Sequence, residues 1–236
     1  MRTGVASWVT GAVALLLSVS ACTGGDPDGG SGGDGAQSTD GSTTPDRRAD
    51  PTDTTGPIKA AAKAAGSVVV TRTLTEADGD VTQEEIETAF TTPPSARVLH
   101  VGEEIWTLDV VEGVGWVKDQ SEKKSNNRWK QLGERETAQR LEGATLDGLL
   151  GVLDAATSVS KASTASVRGV EATCHTFGLD ANQGTDATAK VCADDKQRPV
   201  EVVVRSGGDT TTSVFMSWGS KITAMAPPEH LVDQAD

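Results

Sequence analysis

The side chains best able to do chemistry are few: three cysteines, Cys22, Cys174 and Cys192, and three histidines, His100, His175 and His230. None of the histidines falls in an HExxH pattern, and neither a GxSxG elbow nor a phosphate-binding glycine loop is present. Each histidine therefore reads as a strand or surface residue rather than a base. Glu84-Glu85 and Glu103-Glu104 are adjacent carboxylates. Successive strand residues point to opposite faces, so neither pair forms a catalytic dyad. A closed zinc site needs four ligands; Cys174, His175 and Cys192 offer three, and no CxxC or HxxxH supplies the rest. The reading is of a protein that is not an enzyme, with no metal and no cofactor.

Cys22 has a different kind of reactivity. Residues 1–21, MRTGVASWVTGAVALLLSVSA, have a short basic start at Arg2, an apolar middle and small residues Ser20 and Ala21 before the cysteine. That is the layout of a cleaved export signal, and Thr10, Gly11 and Ser18 interrupt it too often for a membrane span of about 20 apolar residues. Val19-Ser20-Ala21-Cys22 resembles the bacterial lipobox. The resemblance implies cleavage before Cys22 and a diacylglycerol thioether on its sulfur, with palmitate-type chains holding the protein on the extracytoplasmic face of the cell membrane. Two or three chains, at about 0.8 kcal/mol per buried methylene, anchor firmly where one does not.

With Cys22 lipidated, Cys174 and Cys192 remain, in a protein exported to where thiols oxidise, and they are expected to form a disulfide. They fall in successive strands joined by the loop Asp180 to Asp186, so a hairpin brings them together. The net charge of −13 argues against a nucleic-acid partner, which calls for a basic face. Abundant Ala, Gly, Thr, Val and Asp without tyrosine suggest a GC-rich bacterial genome such as an actinobacterium.

Three regions follow. Residues 1–21 form the signal peptide; residues 22–56 are the lipidated cysteine and a Gly, Ser, Asp and Thr tether with no aliphatic side chain larger than Ala. Such a stretch cannot offset the entropy of ordering, and its flexible-coil span is about 30 Å. Residues 57–236 form one folded domain. It opens with a short helix from Pro57, stopped by Gly66. Strand patterns follow at 67–75, 85–91, 96–101, 104–110 and 115–118; Trp129, within the basic patch at 121–130, reads either as a membrane- or partner-facing anchor or, the favoured reading, as the inward residue of a further strand at 127–132. Gly143 to Ala156 predicts one amphipathic helix with Leu146, Leu149, Leu150 and Leu153 on one face and Thr145 as N-cap. Strands resume at 166–170, 172–179, 189–193, 199–205, 211–218 and 222–226. The fold class is α+β: a large antiparallel sheet with a few helices across one face.

This order of features resembles the LolA-like lipoproteins of actinobacteria, related to the LppX and LprG group. The local matches are Val167-Arg-Gly-Val-Glu-Ala-Thr-Cys174, Arg198-Pro-Val-Glu-Val202 and Ser217 to Pro228, with Trp106 and Trp116 in the first meander. The resemblance implies an eleven-strand half-barrel, a curved sheet whose concave face the helices cover, with an apolar cavity that carries acyl chains. Trp106, Trp116, Leu146, Leu149, Leu150, Leu153, Val202, Phe215 and Trp218 are the candidate lining, although such residues more often form plain core. Two functions compete. One is a membrane-anchored carrier of a lipid or acyl chain; the other is a non-catalytic envelope interaction lipoprotein with a filled core and an unidentified protein partner.

Overall fold

A computed structural model describes residues 50–120, 128–183 and 186–233. Cys22, the signal peptide and residues 22–49 of the tether lie outside the described residues.

The first helix, α1, spans Pro51–Ala65 and so begins at Pro51 rather than at Pro57. Asp50 is the stronger start signal: its carboxylate accepts from the Thr52 hydroxyl (2.7 Å) and backbone N–H (2.9 Å), and Pro51 takes the first helical position. Those two bonds hold the Asp50 carboxyl below its ordinary range. Gly66 stops the helix at φ 78°, its N–H returning to the Lys63 carbonyl.

Six strands follow: β1 (Ser67–Thr75), β2 (Val81–Ala89), β3 (Ser95–Val101), β4 (Ile105–Val111), β5 (Val114–Asp119) and β6 (Trp129–Gln131). Helix α2 (Glu134–Leu141) comes next, unanticipated because only Thr137 and Leu141 of its eight residues are buried. It approaches β5 at Gly115, where an added Cβ would lie 2.6 Å from the Thr137 hydroxyl. The predicted single helix at 143–156 is broken instead: a 3-10 turn (Glu142–Ala144), α3 (Leu146–Leu150) and a second 3-10 turn (Gly151–Ala155). Thr145 caps α3 by accepting from the Gly148 N–H. The break has a steric side, since Gly148 packs so tightly on the Glu142 carbonyl that a side chain there would collide with backbone.

The second meander is β7 (Ala156–Val159), β8 (Ser163–Val167), β9 (Val170–Leu179), β10 (Thr188–Ala193), β11 (Pro199–Ser206) and β12 (Asp209–Trp218), and β13 (Val232–Asp233) ends the described chain. All thirteen strands form one open, curved sheet, ordered β13-β6-β5-β4-β3-β2-β1-β12-β11-β10-β9-β7, with β8 also on β9. Pairing is antiparallel except for β13 on β6. The α+β class and curved sheet therefore hold, with thirteen strands in place of the eleven that the resemblance implied. Because β1 pairs with β12, the two meanders spread as wings from a shared centre.

The core lies between the concave face and the helices. Val68, Val70, Ile86, Leu108, Phe177 and Val191 of the sheet pack against Ile58 and Ala62 of α1 and against Leu149, Leu150 and Leu153. Burial at alternate positions is what a sheet with one covered face requires.

The predicted strand at 222–226 does not join the sheet. Residues 219–231 instead cross the convex face of the first wing as a belt. The Gly219 N–H donates to the Ser67 carbonyl (2.9 Å), and the Ser67 hydroxyl to the Ser220 carbonyl (2.6 Å). Thr223 donates through both N–H and hydroxyl to one Glu87 oxygen (2.8 and 2.7 Å). The belt ends as β13, where Arg128 contacts both Asp233 and the Val232 carbonyl.

Candidate functional site

The apolar residues expected to line a cavity divide into three groups. Leu149, Leu150, Leu153, Val202 and Phe215 are buried in the core and touch one another rather than an opening. Trp218 stacks on Phe215 (5.4 Å between ring centres) and donates its indole N–H to the Pro199 carbonyl, packed on the core's flank.

The tryptophans of the first meander separate. Trp106 faces inward, stacked on His100 at 4.6 Å, with the Arg140 guanidinium 5.4 Å from its ring centre. His100 Nδ1 lies 3.1 Å from Glu84, whose other oxygen accepts from Arg72; Arg72 also donates to the Gly143 carbonyl (3.0 Å). This end of the concave face is thus a polar array rather than an acyl surface. Sequence reasoning missed it because its members come from β1, β2, β3 and β4, and only strand register brings them into one row.

Trp116 does not share that face, and the expectation that it does is corrected. Register sets Leu108 opposite Val117 and Asp109 opposite Trp116, so Trp116 points to the convex side, beside Ala226 and Pro227 of the belt. Trp129 shares its side of the sheet, opposite to the inward packing expected, with the Lys118 ammonium 5.9 Å from its ring. His175 is half-buried on β9, and His230 is exposed on the belt. No group of three or more metal-ligating side chains occurs among the described residues.

Of the expected lining, Leu146 borders an opening with an apolar wall, while Trp106 and Trp116 border clefts elsewhere on the first wing. A cleft of about 530 Å³ lies between α1, the end of β2 with the turn that follows it, and the α2–α3 corner. Its apolar wall is Ala60, Ala89, Phe90, Pro94, Leu141 and Leu146. Phe90 is fixed there because its N–H donates to the Gly66 carbonyl (2.8 Å), tying the β2 exit to the end of α1. The Thr145 cap sets the direction from which Leu146 enters. Lys59 and Lys63 also line the cleft, as does Asp147. A volume of this size is in the range of small-molecule sites, which are mostly apolar with a few polar groups.

No protein-family model matches the sequence, and no curated protein matches it. Solved structures do. LprF from Mycobacterium bovis superposes with a TM-score of 0.56 at 12% identity, over 75% of this chain and 96% of that one. Lipoprotein LppX from Mycobacterium tuberculosis gives 0.54 at 16% identity, over 74% of this chain and 98% of that one. The chain has the fold of LprF and LppX. The resemblance carried by residues 167–228 is thereby borne out at the level of architecture, over nearly the whole length of both neighbours. No helix among the described residues is long and apolar enough to cross a membrane.

Proposed function

We propose that this protein is an extracytoplasmic lipoprotein, anchored to the cell membrane through lipidated Cys22, that binds or carries a lipid acyl chain without catalysing a reaction. The observation that carries this reading is the cleft walled by Phe90, Pro94, Leu141 and Leu146 at the open side of an LppX-like sheet. An acyl chain entering there exchanges water for apolar wall, worth about 25 cal/mol per Å² buried, and needs no covalent step.

The second reading, an interaction or regulatory lipoprotein whose core is complete by itself, draws support from the burial of Leu149, Leu150, Leu153, Val202 and Phe215. Mass spectrometry of lipids extracted from the purified full chain separates the two. The carrier reading expects one acyl lipid per chain beyond the anchor on Cys22. Protein that carries the anchor lipid alone would support the filled-core reading instead.

A further inference from the structure

The cleft has a polar feature that an acyl chain by itself does not use. Of the side chains of α1, only Asp53, Lys59 and Lys63 are charged, and both lysines line the cleft. They stand one helical turn apart among alanines, a like-charge spacing that disfavours an isolated helix by about 0.2–0.5 kcal/mol. Lys59 is held by Asp154, at 2.6 and 2.9 Å, and Asp154 is not part of the lining. Lys63 is exposed and takes part in none of the ion pairs of the described residues. Asp147 is the one carboxylate on the lining. Asp154 neutralises Lys59, so Lys63 is the lining ammonium without an ion-pair partner among the described residues, in a chain with 21 basic against 34 acidic side chains. An unpaired ammonium next to an apolar wall fits a ligand that is apolar at one end and anionic at the other.

We infer that the cleft takes a single acyl chain with an anionic head, a carboxylate or a phosphate monoester, which Lys63 receives and Lys59 assists. This rests on the acyl-binding reading and adds the head group to it. The tail lies against Phe90, Leu141 and Leu146, and the head replaces part of its water shell with the Lys63 ammonium, a charge-assisted contact.

Equilibrium dialysis tests it, using the full chain carrying Cys22→Ser so that no anchor lipid competes, against radiolabelled palmitate, 1-palmitoyl-lysophosphatidate and hexadecanol. The two anions are expected to bind about tenfold more tightly than the neutral alcohol, the equivalent of one such contact. Whichever anion binds more tightly identifies a free fatty acid or a phospholipid product as the source. Lys63→Gln should remove that advantage and leave hexadecanol unchanged, and Lys63→Arg should restore it. Equal binding of all three, or no effect of Lys63→Gln, would overturn the head-group inference and leave the acyl reading standing. Binding of none would overturn both.

Discussion

The two wings of the sheet share one concave core but stabilise their convex faces by different chemistry. On the second wing, Cys174 of β9 and Cys192 of β10 are register partners and form a disulfide, packed with Ala172 and Val200 and flanked by Ala165 and Val167 of β8. On the first wing no covalent bond crosses the strands. A charge row, Glu87, Arg97 and Asp109, follows the register of β2, β3 and β4, and the belt lies across this side, fastened to Glu87. A convex face that solvent would otherwise cover can thus be held by a small apolar cluster closed by a covalent staple, or by polar pairs with a strap of chain. The first is sensitive to reduction; the second responds to pH and to single hydrogen bonds.

The largest expected difference comes from the staple. The bridge closes a loop of 18 residues, so Cys192→Ser should cost about 3 kcal/mol in denaturant unfolding, with faster hydrogen exchange concentrated in β8 to β10. An equal rise in exchange across β2 to β6 would show that the wings are not separately stabilised.

Asp194, just after β10, comes next. It accepts from the Lys196 and Arg198 N–H groups (2.9 and 2.8 Å) and from the Arg198 guanidinium (2.9 and 2.7 Å), anchoring the turn that leads into β11. Burial pushes its carboxyl up, but the Arg198 side chain and the two backbone donors outweigh this and hold it below the ordinary value. A depressed carboxyl contributes stability above its unfolded value, about 3.9, and loses it as pH falls through the lower folded value. Asp194→Asn should therefore cost about 2 kcal/mol at pH 7 and less as the solution is acidified towards pH 2, measured by urea unfolding at a series of pH values.

On the first wing the effects are smaller. Thr223→Val removes one hydroxyl bond to Glu87 and should cost about 1 kcal/mol, with the gain in hydrogen exchange confined to the belt, β6 and β13. Uniform acceleration over the whole sheet would mean that the belt is not a separate fastening.

Asp109 should move in the opposite direction. It is buried, one of its oxygens has no hydrogen-bond partner, and its Arg97 contact is 3.5 Å long. Burial raises its carboxyl above the ordinary value, Arg97 partly offsets this, and Glu87 adds to it. A raised carboxyl favours the fold below the unfolded value and loses that contribution as pH rises through the folded value. Asp109→Asn is thus expected to be neutral or to stabilise by up to about 1 kcal/mol at pH 7 in thermal unfolding; a loss of more than that would show that its charge is needed under the belt.

Much of the architecture is legible from side-chain types. β-branched runs locate β1, β3, β4, β11 and β12 closely, and the two cysteines besides Cys22 anticipate the bridge between β9 and β10. What is not legible depends on register or on sparse burial. Trp116 and Trp106 look alike in sequence, yet an offset in strand phase puts them on opposite faces. α2 escapes notice because only Thr137 and Leu141 of it are buried, and the helix from 143 is divided where Gly148 packs closely on the backbone of residues 142 and 143. The cleft is partly visible: Leu146 belongs to the predicted apolar face and the lysines to the predicted first helix, but Phe90 joins them only through its bond to Gly66, which no sequence pattern marks.

On the proposed reading an acyl chain occupies this cleft rather than the middle of the concave face. Photo-crosslinking of the full chain with a palmitate bearing a diazirine near its methyl end, followed by peptide mapping, tests it directly. Label on the segments containing Phe90 and residues 141–146, lost in Leu146→Trp, is the expected result. Label on Val202 or Phe215 at the core's centre, or labelling that Leu146→Trp leaves unchanged, would contradict it.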